Sequence, residues 1–223
     1  MKISILLPYK ENFSPNYAGA VSLFVNDTLN ESKYKKETII FGNTDYKKKF
    51  NHNYKNIILK NNLFQSQNKK YVDEFIKIEK KRKSNLIELH NRPSYLNILR
   101  KKLDNRSYFL YFHNDPLSMN GSKTLTERIF LMKICYKIIF NSFWSKKRFT
   151  EGLKNEDLIN DKLIVIHQSA KKNNLSIKSK KNIITFVGKL NKSKGYDLFG
   201  ESITKILDKY KNWSAIVVGD EPR

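Results

Sequence analysis

The sequence predicts an α/β fold in two parallel-sheet domains, the second incomplete, and three observations predict it. Short apolar runs rich in β-branched and aromatic residues alternate with amphipathic stretches along most of the chain, the pattern in which helices carry each strand to a parallel neighbour. Most strand candidates end in a glycine, a proline or a polar turn. One polar, basic, aperiodic segment, residues 169–181, interrupts the alternation and reads as an interdomain linker.

In the first domain the order strand, loop, helix repeats. Ile3-Ser4-Ile5-Leu6-Leu7-Pro8 is a buried strand ended by a proline; residues 9–18 are polar with aromatics, and Gly19 opens a helical run from Ala20 to Asn30. Strands are expected over 38–41 and 56–59, separated by a polar segment whose His52 reads as a surface residue. Val72, Phe75, Ile76 and Ile78 set a helix over 69–83. Its basic end, KIEKKRK, suits the negative carboxyl pole of the helix dipole and reads as solvated. A strand from Leu86 ends in His90-Asn91-Arg92-Pro93, a helix covers 95–103, and the strand 108–112 ends in His113-Asn114-Asp115-Pro116. The turn signal Asn120-Gly121 precedes a helix over 125–133. The strand 137–140, the helix 144–153 with Lys146, Lys147 and Arg148 on a surface turn, and the strand 162–166 with His167 at its tip complete the domain.

The stretch NIITFVGKLNKSKGYDLFGESITKILDKYKNWSAIVVG, residues 182–219, is a βαβ unit. Its first strand, 183–187, reads as buried and is bounded by Gly188; the helix carries Tyr196, Phe199, Ile203, Ile206 and Leu207 at three- and four-residue spacings, and a second buried strand covers 215–218. A crossover of this kind sets Lys189, Lys192 and Lys194 at the carboxyl edge of a parallel sheet beside a helix amino terminus, where anions bind.

Phe186-Val187-Gly188-Lys189-Leu190 followed by Lys194-Gly195-Tyr196-Asp197-Leu198 resembles the start of the carboxy-terminal domain of GT-B glycosyltransferases of family 4. There a run FVGR is followed by KG and an apolar helix. The resemblance implies that Lys189 and Lys194 bind the diphosphate of a nucleotide-sugar donor. Lys189 stands where arginine is commoner and lacks its bidentate fork. After the first strand the family has a glycine-rich turn close to the donor phosphate, which falls here on Gly19, with Ala18 in place of the first glycine. A strand ending in HNRP implies acceptor-side roles for His90, Asn91 and Arg92. The HND sequence implies that His113 is catalytic, hydrogen-bonding the transferred sugar or leaving phosphate, with Asn114 and Asp115 on the acceptor side. The segment FNSFWSKKRFTEGL is similar to the family's strand and helix at that place.

The resemblance thus implies a GT-B-like fold: an N-terminal Rossmann-like domain over 1–170, a linker over 171–181 and an incomplete nucleotide-sugar-binding domain over 182–223. It implies hexosyl transfer, of retaining type, from a nucleoside-diphosphate sugar to a saccharide or lipid-linked acceptor, as in surface polysaccharide or lipopolysaccharide synthesis. No metal or other cofactor is expected: the lysines would meet the leaving group's charge, and no Asp-x-Asp occurs. The family's later pair of glutamates has no counterpart, and this chain alone is expected to be inactive. Read without the resemblance, the same residues have plainer roles. Lys189 and Lys194 are solvated lysines, Gly19 a helix start, Arg92 a helix cap and His113 a ring bonded to its own turn. A second functional class therefore stands beside the enzyme, a non-catalytic Rossmann-type module that holds a nucleotide or docks on an anionic surface.

Composition narrows the rest. The net charge is +22, with 43 basic and 21 acidic residues, which favours an acidic partner. Only seven of the basic residues are arginine, and Lys, Asn and Ile are abundant, as AT-rich coding would produce. The basic residues are scattered and no nucleic-acid motif occurs, so an anionic membrane is the macromolecular surface that the charge allows and nucleic acid is not expected. The single Cys135 excludes an intrachain disulfide and reads as a small core hydrophobe. No apolar stretch approaches the roughly 18 residues of a membrane span, and a strand stands where a signal peptide would. A cytoplasmic protein, peripheral at most to the inner face of the membrane, is the expectation.

Overall fold

Seven strands between residues 3 and 165 pair in one parallel sheet, as the alternation of strand and helix requires. The computed structural model describes residues 1–59, 65–155, 160–169 and 179–220. The chain forms two units, Met1–Lys171 and Lys172–Arg223; most of the expected linker lies outside the described residues.

The strands of the first unit are β1 (Ile3–Leu6), β2 (Thr38–Gly42), β3 (Tyr54–Asn56), β4 (Leu86–His90), β5 (Ser107–Phe112), β6 (Lys137–Phe140) and β7 (Leu163–Val165), in the spatial order 3-2-1-4-5-6-7. The order reverses between β1 and β4, so the crevice outside their carboxyl ends is the switch point where doubly wound sheets take ligands. The helices are α1 (Ala20–Asn30), α2 (Gln67–Arg82), α3 (Leu96–Lys102), α4 (Leu125–Ile134) and α5 (Phe143–Thr150).

Alternation along the strands divides the core in two. Leu6, Phe41, Ile87, Leu89, Tyr108, Leu110, Phe112, Ile138 and Phe140 pack with apolar residues of α2, α3, α4 and α5, and buried Cys135 lies among them. Ile3, Ile5, Leu7 and Ile40 pack on the other face with Val21, Val25 and Leu29 of α1. Full burial of each such side chain is worth about 1.5–3 kcal/mol.

Four expectations for the first unit need correction. The third strand falls on Tyr54–Asn56 and not on 56–59, because its partner β2 ends at Gly42. Ile57 still points inward while Ile58 is exposed. His52 is half-buried, its Nε2 3.1 Å from Asn26 Oδ1 and its ring against Phe13. α5 stops at Thr150, three residues early, where Arg128 donates to the Glu151 carbonyl. The basic end of α2 is only partly solvated. Glu79 is fully buried, accepting from Ser4 Oγ at 2.7 Å and from the Ser84 amide at 2.7 Å, while Arg82 donates to the carbonyls of Ile3 and Glu37.

The second unit is β8 (Ile183–Val187), α6 (Tyr196–Lys209) and β9 (Ser214–Val218), with β8 and β9 parallel. Its strands are not buried as expected: Val187 is 75% exposed and Val218 52%. One helix covers one face of two strands, so the opposite face keeps its apolar side chains in solvent.

Candidate functional site

The polar ends of β4 and β5 meet beside the switch point. Glu88 and His90 are two residues apart on one strand and therefore share a face. The register sets His90 opposite Tyr111, and His113 follows two residues beyond. His90 is fully buried, Nε2 2.9 Å from Glu88 Oε1 and Nδ1 2.9 Å from His113 Nε2. Nδ1 of His113 meets the side-chain amide of Gln168, which is exposed. The ring of Phe24 of α1 stands edge-on to His113 with centroids 4.9 Å apart, and His90 stacks on Tyr111 at 4.9 Å.

Asn91 holds this arrangement from the backbone. It sits at φ 51°, a left-handed conformation that asparagine tolerates, and its Oδ1 accepts from the His113 amide at 2.8 Å. Asn141, at the end of β6, donates through Nδ2 to the His113 carbonyl at 2.8 Å. Burial, and then the neighbouring His90, press the His113 pKa down to about 3, so the ring is neutral at pH 7. Desolvation, and secondarily Glu88, raise the pKa of the Tyr111 phenol, which stays protonated.

The other sequence-predicted residues separate by exposure. Asn114 is exposed. Asp115 is tied to its own turn, Oδ1 accepting from the Leu117 amide at 3.0 Å, and pairs with Arg148 at 3.4 Å. Arg92 donates to the Asn91 carbonyl and lines a cavity of about 680 Å³ with Asn68, Lys69, Asn91, Ser94 and Tyr95. A second cavity, of about 820 Å³, lies beside α1 between Phe24, Asp27, Thr28, Tyr111, His167 and Ser169. Of the acceptor-side group, Asn114 is exposed and Arg92 half-buried, while His90 and Asn91 lie inside and orient His113.

Gly19 precedes α1 in an extended conformation. The group that comes close to it is Glu11, whose Oε1 accepts from the Ser22 amide in the first turn of α1 at 2.9 Å. A carboxylate at a helix amino terminus satisfies an otherwise orphan donor.

In the second unit, Gly188 to Gly195 form the turn between β8 and α6. Lys189 and Lys194 are both exposed and have no ion-pair or hydrogen-bond side-chain partner among the described residues. Asn191 shapes the turn: its carbonyl accepts from the Lys194 amide at 3.1 Å and its Oδ1 from Ser193 Oγ at 2.8 Å. Gly195 takes φ 72° at the helix start. Gly219 holds the turn's base, since a Cβ there would lie 1.9 Å from the Gly188 carbonyl oxygen.

Sequence reasoning missed Glu11, Phe24, Glu88, Tyr111 and Gln168. Glu88 left a signal, a lone acid two residues before a histidine in an otherwise apolar strand. Gln168 and Glu11 left none, because loop conformation brings them in.

Together, the doubly wound sheet and the βαβ unit with its lysine-bearing turn define an α/β protein of GT-B-like, Rossmann-type architecture. HepE of Anabaena, solved in complex with UDP and glucose, matches at a TM-score of 0.70 and 15% identity over 100% of this chain and 62% of its own. A glycosyltransferase from Rickettsia africae matches at 0.64 and 18% over 98% of this chain and 60% of its own. The UDP-GlcNAc 2-epimerase of Neisseria meningitidis bound to UDP-GlcNAc matches at 0.59 and 11%, over 97% and 65%. At these identities the likeness is one of fold, and the chain spans less than two thirds of each. No family model matches the sequence, and no curated protein does. Among the described residues no helix is long and apolar enough to cross a membrane.

Proposed function

We propose that this chain is the acceptor-side domain and the beginning of the donor domain of a glycosyltransferase that moves a sugar from a nucleoside diphosphate to a saccharide or lipid-linked acceptor. The observation that carries the reading is the β8–α6 turn, where two exposed lysines, without acidic partners among the described residues, flank a strand-to-helix connection. That turn belongs to a fold whose solved neighbours were captured with UDP, UDP-glucose and UDP-GlcNAc. As the anomeric carbon becomes oxocarbenium-like, negative charge develops on the leaving diphosphate, and Lys189 and Lys194 stabilise it. His113 supplies a contact to the sugar. In this reading the lysines take the part a metal would otherwise play. Surface polysaccharide or lipopolysaccharide synthesis is the setting we infer, with an anionic membrane as the surface that the net charge of +22 suits.

Titration of UDP and of GDP into the chain, followed by amide chemical shifts, tests the reading. Shifts confined to the β8–α6 turn are expected, and Lys194→Ala should weaken binding by about 1.5–3 kcal/mol, the scale of a charged hydrogen bond, less so at high salt. Binding unchanged in Lys194→Ala would remove the donor-site assignment. Consumption of UDP-GlcNAc by epimerisation, with no transfer to any saccharide, would move the chain to the epimerase branch of the same fold.

A further inference from the structure

The contacts from Glu88 to Gln168 have a direction. A carboxylate only accepts, so His90 donates from Nε2 to Glu88 Oε1 across 2.9 Å. A neutral His90 then has only a lone pair at Nδ1, and His113 must donate to it from Nε2 across 2.9 Å. That leaves His113 Nδ1 as an acceptor, to which the Gln168 side-chain amide donates with its NH2 turned inward.

The rings are also held in place. His113 stacks on His90 at 5.1 Å and on Tyr111 at 6.2 Å, with Phe24 edge-on at 4.9 Å. Its amide and carbonyl are held by Asn91 and Asn141. A flip of the imidazole would break the bond to the fully buried His90 and leave Nδ1 of that ring unsatisfied, which disfavours the flip.

We propose that Glu88 and His90 are positioning residues that hold His113 as its neutral Nε2–H tautomer, offering Nδ1 as a hydrogen-bond acceptor to a sugar hydroxyl in the place Gln168 occupies. An acceptor nitrogen takes a hydroxyl and turns away a phosphate oxygen, so this assigns the histidine to the sugar and leaves the diphosphate to the lysines. The tautomer stands on the first unit alone; its hydroxyl ligand rests on the glycosyltransferase reading.

Two-bond proton–nitrogen correlation of ¹⁵N-histidine-labelled chain at pH 7.5 reads the tautomer directly. His113 is expected with a protonated Nε2 and a pyridine-like Nδ1. In His90→Phe and in Glu88→Met, which keeps the length of the side chain but removes the acceptor, the tautomer ratio should shift about five- to tenfold, the size of one lost hydrogen bond. A packing role alone would not move it. A proton on Nδ1 in the unaltered chain, or the same ratio in both variants, overturns the positioning role; Glu88→Met alone decides if His90→Phe does not fold. In a Gln168→Ala chain, glucose should shift Nδ1, and sulfate, an oxyanion with no proton to donate at this pH, should leave it unchanged. The reverse response, or none to glucose, removes the hydroxyl assignment. A chain that shows the tautomer but binds no UDP retains the relay and loses the proposed function.

Discussion

Glu11 stands where a side chain at Gly19 would have to go: a Cβ built on Gly19 lies 2.1 Å from Glu11 Oε1, the oxygen that caps α1 through the Ser22 amide. The helix start read from sequence as a place for a donor phosphate is thus covered by the chain's own carboxylate. A phosphate binding there must displace Glu11 or meet its repulsion.

Glu11→Ala and Gly19→Ala remove this cap by different means. Glu11→Ala should lower stability by about 0.5–2 kcal/mol. Gly19→Ala should cost less, because alanine also stiffens the unfolded chain, an offset of about 0.4–1 kcal/mol. Urea unfolding of the two variants and their double measures the coupling; strictly additive losses would show that the two residues act separately.

Gly121 and Gly195 both take positive φ, at 95° and 72°, but in different surroundings. A Cβ at Gly121 would lie 2.5 Å from the Ser94 amide nitrogen, whereas one at Gly195 meets nothing within 4 Å. Gly195→Ala should cost only the left-handed strain of about 1–2 kcal/mol, and Gly121→Ala a further 1–3 kcal/mol or so of overpacking. Equal losses in the protection of their respective units would contradict this.

Protonation of His113 opposes folding. Its folded pKa is depressed to about 3 against an ordinary 6.5, so below pH 6.5 the unfolded chain takes up a proton that the folded chain refuses. The stability contribution is whole above pH 6.5 and is lost as pH falls toward 3. In His113→Asn, stability should vary less steeply between pH 6.5 and 4. Parallel stability curves for the two proteins would mean that His113 titrates normally in the fold.

Hydrogen exchange should separate the units. In β1, β4 and β5 most apolar side chains are buried, while the second unit buries only Ile203 among its described residues. Amides of β8 and β9 should exchange through openings of much lower free energy than those of β4 and β5. Equal protection in both would show that the second unit has a partner surface.

Local chemistry made most of this protein legible from its sequence. Period-two apolar strands, helices marked by stripes such as Val72, Phe75 and Ile76, and the turn glycines Gly121 and Gly195 report on interactions within a few residues or on alternation along one element. The same signals set His113 at a strand end and Lys189 and Lys194 in a strand-to-helix turn, so the positions of these residues in the fold, though not their contacts, were legible.

What only the tertiary structure decided depends on register and on loops. The β4–β5 pairing sets His90 opposite Tyr111 and brings Glu88 into line with His113, although 25 residues separate Glu88 from His113. Glu11 and Gln168 reach their partners because loops fold back, and no periodicity records that. Burial likewise set His90 and Asn91, read as acceptor-side residues, inside the fold with bonds to His113. It left β8 and β9 exposed, because their burial depends on what packs against them and not on their own apolar character.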